Sequence, residues 1–160
     1  DNLTAELLTR ELAGDGTTAS GTRRIVEVAG ELGVPTAGVA VRDGSGLDPA
    51  SRVTCDALLA VLQLGNPRID RGLPVAGRNG TLVNRFVGDP LAGMLRAKTG
   101  QINGVAGLAG VVDDSEGLRF SFLVNGEFST AGGQALQAGA ARAVAAYPDA
   151  PAAAELVPAP

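Results

Sequence analysis

Lys98 is the only lysine in a chain whose other basic side chains are all arginine. Arginine is a planar fork that stays charged, whereas lysine is a compact point charge whose pKa moves on burial. Keeping an ammonium at this one position, within Arg96-Ala97-Lys98-Thr99-Gly100, sets the stretch apart. Lys98 offers positive charge, Thr99 a hydroxyl donor, and Gly100 a backbone with no side chain in the way of an extended ligand. The chain has no histidine. That removes Ser-His-Asp and Cys-His triads and any imidazole metal site. Cys55 is single, so no internal disulfide can form, and its place in a helical pattern reads as a small buried hydrophobe. Ser45 has no base near it in sequence and reads as a turn serine. Asp113, Asp114 and Glu116 match no Ca²⁺ loop spacing and read as a solvated hairpin tip. Asn2 heads a helical pattern and suits an N-cap.

At 160 residues the chain can enclose one real core. Its hydrophobic fraction of 45% and charged fraction of 19% are those of a globular protein. Aromatics are 3%, so Ala, Val and Leu must build that core. A net charge of −4 argues against nucleic acid as a partner, because phosphate binding needs a basic face. No apolar run approaches the ~20 residues of a membrane span, and no basic-then-apolar segment opens the chain.

The elements that must position these residues follow from periodicity and punctuation. Leu3, Leu7, Leu8 and Leu12 share a helical stripe that Gly14-Asp15-Gly16 ends. A helix at residue 2 or 3, with no Met before it, reads as a chain cut from a longer one. A polar loop over 17–21 precedes a second helix, capped by Ser20 or Thr22 and stopped by Gly33. Residues 34–41 read as a short strand, 42–48 as a tight loop, and Thr54 as the cap of a third helix. Residues 65–93 are rich in Pro and Gly, with one helical piece expected over 81–86. Then come a strand over 94–99 ending at Gly100, an apolar strand over 104–112, and an alternating strand over 118–125. An Ala-rich helix over 131–147 follows, with an Ala/Pro-rich tail at 148–160. The expectation is an α/β (α+β) domain, an antiparallel sheet covered by helices.

Several short motifs now stand in order. They are Asp43-Gly44-Ser45-Gly46-Leu47, then Arg52-Val53-Thr54, then Gly77 with Gly80-Thr81-Leu82, then Arg85-Phe86. Arg96-Ala97-Lys98-Thr99-Gly100, Asn103-Gly104-Val105 and Leu108-Ala109-Gly110 complete the series. Lys-Thr-Gly is one of three short signatures of penicillin-binding proteins and class A β-lactamases. From Asp1 to about Tyr147 the series resembles the C-terminal part of the D-alanyl-D-alanine carboxypeptidases of the penicillin-binding protein 4 type (peptidase family S13). The resemblance implies the C-terminal part of the penicillin-binding transpeptidase, or serine β-lactamase-like, fold over 1–147, with an antiparallel sheet covered by helices.

It also implies roles. Asn2 matches the Asn of the family's Ser-x-Asn signature, which binds the acyl amide of the substrate beside the nucleophile. Lys98, Thr99 and Gly100 match the wall that receives the substrate carboxylate. The main-chain N–H of Gln101 matches an oxyanion-hole donor. The family more often has Thr or Ser there, so one hydroxyl on the carboxylate is lost. The nucleophile belongs to a Ser-x-x-Lys signature. Three residues after Ser20, Ser45, Ser51, Ser115, Ser121 and Ser129 come Arg23, Asp48, Thr54, Leu118, Val124 and Gly132, none of them Lys. The expected partner is therefore an N-terminal part of the same protein that carries Ser-x-x-Lys. The implied activity is serine-type D-Ala-D-Ala carboxypeptidase, with endopeptidase action on cross-linked peptidoglycan as an extension. Implied ligands are peptidoglycan stem peptides and β-lactams, with no cofactor, no metal and an extracytoplasmic location. A β-lactamase or esterase of the same fold, and a non-catalytic peptidoglycan-binding remnant, are the competing expectations. In the resembled fold N-terminal segments complete the sheet, so the isolated chain is expected to be marginal or aggregation-prone.

Overall fold

A computed structural model describes residues 1–112 and 117–149. The hairpin tip with Asp113, Asp114 and Glu116, and most of the 148–160 tail, lie outside the described residues. The chain forms two compact units, one spanning Asp1–Ile69 and one beginning at Asp70.

The first unit is helical. Helix α1 (Asn2–Leu12) is capped by Asp1, whose carboxylate accepts from the Thr4 N–H at 2.8 Å and the Thr4 hydroxyl at 3.0 Å. Asn2 is therefore the first helical residue and not the cap, because a charged acceptor one position earlier takes the open N–H. Helix α2 (Thr18–Glu31) starts earlier than expected. Asp15 binds the Thr17 N–H and hydroxyl at 2.9 and 3.0 Å, and Thr17 then caps Ser20 at 3.2 Å. The polar loop thus ends at Thr17, and neither Ser20 nor Thr22 is the cap. The two helices meet at Gly21, where a Cβ would run into the Thr9 carbonyl. Thr9 is buried there, while Leu3, Leu7, Leu8 and Leu12 are 49–69% exposed.

The strand expected over 34–41 reduces to one bridge, Ala40 to Arg52. Pro35 lacks the ladder donor, and Gly38 turns the chain at φ +78°. Helix α3 (Cys55–Gln63) is capped as expected by Thr54, which accepts from the Ala57 N–H at 3.1 Å. Cys55 is only half-buried.

A short helix α4 (Pro67–Gly72) was not anticipated. Its signal is present: Asn66 accepts from the Arg68 N–H at 3.0 Å, with Pro67 at the first helical position. The helical piece expected over 81–86 is a single 3₁₀ turn, Gly80–Leu82, after which Phe86 adopts φ +62°.

The second unit holds the sheet. Strands β1 (Leu95–Ile102), β2 (Val105–Val112) and β3 (Leu118–Asn125) are antiparallel in the order β1-β2-β3. Asn103-Gly104 closes the first hairpin, with Gly104 at φ +71°. β1 does not stop at Gly100, because Gly100–Gly107, Gln101–Ala106 and Ile102–Val105 continue the pairing. Alternation puts Leu95 and Ala97 of β1, Leu108 and Val112 of β2, and Phe120 of β3 on one face. These residues are buried with Leu82, Phe86, Leu91 and Ala141. Helix α5 (Thr130–Ala145) covers that face, capped by Ser129, which accepts from the Gly132 N–H at 3.1 Å.

Candidate active site on strand β1

Lys98, Thr99, Gly100 and Gln101 are consecutive residues of the sheet's edge strand. Its first half is covered on the outer side: Ala97 N–H donates to the Pro74 carbonyl and Ala76 N–H to the Leu95 carbonyl, both at 2.9 Å. In an antiparallel strand the main-chain groups of alternate residues point to opposite edges. Leu95 and Ala97 point outward, so Thr99 and Gln101 do too, beyond the last bond from the 74–76 segment. Among the described residues their N–H groups and the Gln101 C=O form a short open ladder of the kind that pairs with an extended peptide.

The side chains divide by the same alternation. Thr99 and Gln101 lie on the α5 face, Lys98 and Gly100 on the opposite one. Thr99 Oγ1 bonds Thr81 Oγ1 of the 3₁₀ turn at 3.0 Å. The Gln101 amide donates to the Thr130 carbonyl at 3.3 Å, which ties its side chain to the start of α5 and leaves its main chain at the edge. A Cβ on Gly133 would sit 2.9 Å from that amide nitrogen, so a glycine in α5 makes room for it. Lys98 is exposed, and its ammonium donates to the Thr99 carbonyl. At Gly100 the backbone is not left-handed, and an added Cβ would meet nothing within 4 Å. Among the described residues neither conformation nor packing explains that glycine. Asn2 belongs to the first unit, at the first turn of α1, with an exposed side chain.

Gln137 was not anticipated as a functional candidate, and Arg85 was singled out only within the Arg85-Phe86 motif, with no role. Gln137 is fully buried on α5. Its amide nitrogen donates to the Gly100 carbonyl at 3.0 Å and to the Gly107 carbonyl at 2.8 Å. Its amide oxygen accepts from the Arg85 guanidinium, which also donates to the Gln134 carbonyl at 3.1 Å. Arg85 lies 5.4 Å from the centre of the Phe86 ring, and burial pulls its pKa down from the ordinary arginine range. The available signal was a glutamine on the inner face of an Ala-rich helix, where a buried amide must find partners.

Charges elsewhere fix loops. Asp70 and Arg119 form a two-bond pair at 3.0 and 3.2 Å, and this bonding holds the Asp70 carboxyl below its usual range. Asp43 folds its own loop, accepting from the Leu47 N–H at 2.7 Å, the Asp48 N–H at 2.8 Å and the Ser45 hydroxyl at 3.0 Å. Ser45 is thus committed to a turn. Among the described residues no group of three or more His, Cys, Asp or Glu side chains is placed to hold a metal, and no helix is long and apolar enough to cross a membrane.

The model of the D-Ala-D-Ala carboxypeptidase 3 (S13) family matches residues 1–147. The chain belongs to this family. A D-alanyl-D-alanine carboxypeptidase of Actinomadura sp. (strain R39) is 40% identical over 137 residues, covering 76% of this chain and 26% of that protein. Carboxypeptidase DacB of Mycolicibacterium smegmatis is 36% identical over 143 residues, covering 78% and 31%. The S13 chain in hand therefore spans less than a third of the length of these relatives.

Among solved structures, penicillin-binding protein 4 of Haemophilus influenzae, in complex with a β-lactam, superposes with a TM-score of 0.77 at 24% identity. That match covers 89% of this chain and 38% of the other. A predatory peptidoglycan endopeptidase of Bdellovibrio bacteriovorus gives 0.68 at 23%, covering 100% and 44%. The chain therefore has the expected fold of part of a penicillin-binding protein, with the antiparallel sheet and covering helix that the motifs implied.

Proposed function

We propose that this S13 chain forms one wall of the active site of a serine-type D-Ala-D-Ala carboxypeptidase acting on peptidoglycan peptides. The observation that carries the reading is the open outer edge of β1 at Thr99 and Gln101, directly beside Lys98 and the uncovered Gly100. An extended stem peptide adds to that edge by main-chain hydrogen bonds. Its terminal carboxylate meets the Lys98 ammonium and the Thr99 hydroxyl. The substrate carbonyl lies at the Gln101 N–H, and one such donor contributes roughly 3–4 kcal/mol of transition-state stabilisation. Asn2 binds the acyl amide.

The nucleophile is a serine of a Ser-x-x-Lys segment in another part of the same protein. Its Oγ bonds to the carbonyl carbon, the bond to the terminal D-Ala nitrogen breaks, and that nitrogen leaves with a proton. Water then hydrolyses the ester and frees the serine. β-Lactams enter the same site and stop at the ester, and the peptidoglycan substrate places the enzyme outside the cytoplasmic membrane. Terminal D-Ala and a cross-linked peptide present the same amide, so endopeptidase action is an extension of the same chemistry.

The test is acylation by labelled penicillin, together with release of D-Ala from a D-Ala-D-Ala peptide, using the complete protein. Lys98→Ala is expected to lower both by orders of magnitude. Unchanged acylation would remove Lys98 from the site. Penicillin turnover faster than peptide turnover would replace the carboxypeptidase by a β-lactamase, and no reaction with either would leave a binding module.

A further inference from the structure

The Gln137 amide joins the two glycine carbonyls that face each other across β1 and β2. We propose that Gln137, held by Arg85, is a positioning residue that sets where the Gln101 N–H points. The inference rests on the functional reading above and deepens it. Gly100 immediately precedes Gln101, and the Gly100 carbonyl belongs to the same peptide unit as the Gln101 N–H. A planar peptide moves as one body. Gln137 Nε2, 3.0 Å from the Gly100 oxygen, therefore fixes one end of the plane whose other end is the proposed oxyanion donor.

The second bond, to Gly107 at 2.8 Å, ties that plane to the central strand. Glycines are the residues most free to shift, and here two of them face each other in register. A clamp at this pair removes freedom where the strand would otherwise have most. Arg85 completes it from the loop after the 3₁₀ turn: with its guanidinium on the amide oxygen, the nitrogen must face the two carbonyls. Gln137 touches no substrate in this arrangement, and its effect passes through the Gly100–Gln101 peptide.

The experiment uses the complete protein and the rate constant of acylation by labelled penicillin, read from single-turnover time courses. The variants are Gln137→Glu and Arg85→Met. Gln137→Glu keeps an acceptor for Arg85 but replaces the clamping nitrogen by an oxygen that the two carbonyls repel. Misplacing a reacting group by about 1 Å costs about a hundredfold. Gln137→Glu is expected to slow acylation by roughly ten- to a hundredfold, with the pre-covalent dissociation constant changed less than about threefold. Arg85→Met, which frees the amide to turn, shifts the same rate constant in the same direction by a smaller factor.

A merely structural role would reduce the amplitude of acylation, because fewer molecules are folded, and leave the rate constant of the folded ones unchanged. That outcome overturns the proposal, as does failure of both variants to fold. A wild-type protein that penicillin does not acylate overturns the functional reading and this inference with it. An acylated wild type with variants of equal rate constant overturns the inference alone.

Discussion

At Gly100 a methyl group would meet nothing within 4 Å among the described residues, and the backbone is not in the left-handed region. Gly100→Ala is therefore expected to leave the fold unchanged or to stabilise it by about 0.4–1 kcal/mol, through the lower entropy of the unfolded chain. The same methyl group stands on the Lys98 face of the edge strand, where the substrate would lie. Acylation of the complete protein is expected to fall at least about tenfold, the lower end of what one methylene is worth in a close-fitting site. Denaturant titration and penicillin labelling of the same variant check the two halves. A destabilised variant would show that the glycine serves the fold instead. Lys98 could be singled out from sequence because it is chemically unlike every other basic residue in the chain. Gln137 could not, because its partners are separated from it by 30, 37 and 52 positions.

Elements meet in this protein where glycine lets backbones approach. A Cβ at Gly21 of α2 would run into the Thr9 carbonyl of α1, whereas one at Gly139 of α5 meets nothing within 4 Å. Gly21→Ala is expected to destabilise the chain by roughly 1–3 kcal/mol, as overpacking does. Gly139→Ala is expected to stabilise it by roughly 0.8–1 kcal/mol, the helix-propensity gain alone. Urea midpoints of the two variants separate close approach from propensity. The three strands of the sheet were legible because β2 is an uninterrupted apolar run and β3 alternates. The strand over 34–41 was misread because its apolar residues look alike whether or not a ladder partner exists. Gly38 at φ +78° could not be known from the pattern, since glycine occupies either hand of the backbone.

For the whole chain, apolar surface and charge make two predictions. The leucines of α1 are exposed between 49% and 69%, and β3 has no strand partner beyond β2 among the described residues. The 160-residue chain expressed alone is expected to bind a hydrophobic dye and to associate with rising concentration, by light scattering. A monomer that unfolds cooperatively and binds no dye would refute this.

The second prediction concerns pH. Bonds from Arg119 hold Asp70 low. At Asp43 burial acts upward but is outweighed by bonds from the Asp48 N–H, the Ser45 hydroxyl and the Leu47 and Gly46 N–H groups. A carboxyl lowered on folding stabilises above its unfolded pKa, about 3.9 for Asp, and that contribution disappears as pH falls through the folded value. With no histidine in the chain, stability is expected to be flat from about pH 5.5 to 7.5 and to fall below about pH 4. Thermal midpoints across that range check it.

Residue types and their local spacing were enough to define the chemistry on offer. The sequence held one ammonium, no imidazole and no Ser-x-x-Lys, and it carried the ordered motifs and strand patterns of a penicillin-binding fold. Those are properties of residue type and local spacing, and local spacing is what periodicity encodes. Long-range packing, and no local pattern, places Lys98-Thr99-Gly100 within an edge strand instead of at its end. The same packing opens the outer edge at Thr99 and Gln101 and brings a buried glutamine on a distant helix onto the glycine between them. Whether an outward main-chain N–H is left open depends on which neighbour occupies the outer edge. That neighbour, the segment at Pro74–Ala76, is brought there by packing and by no pattern within the strand itself.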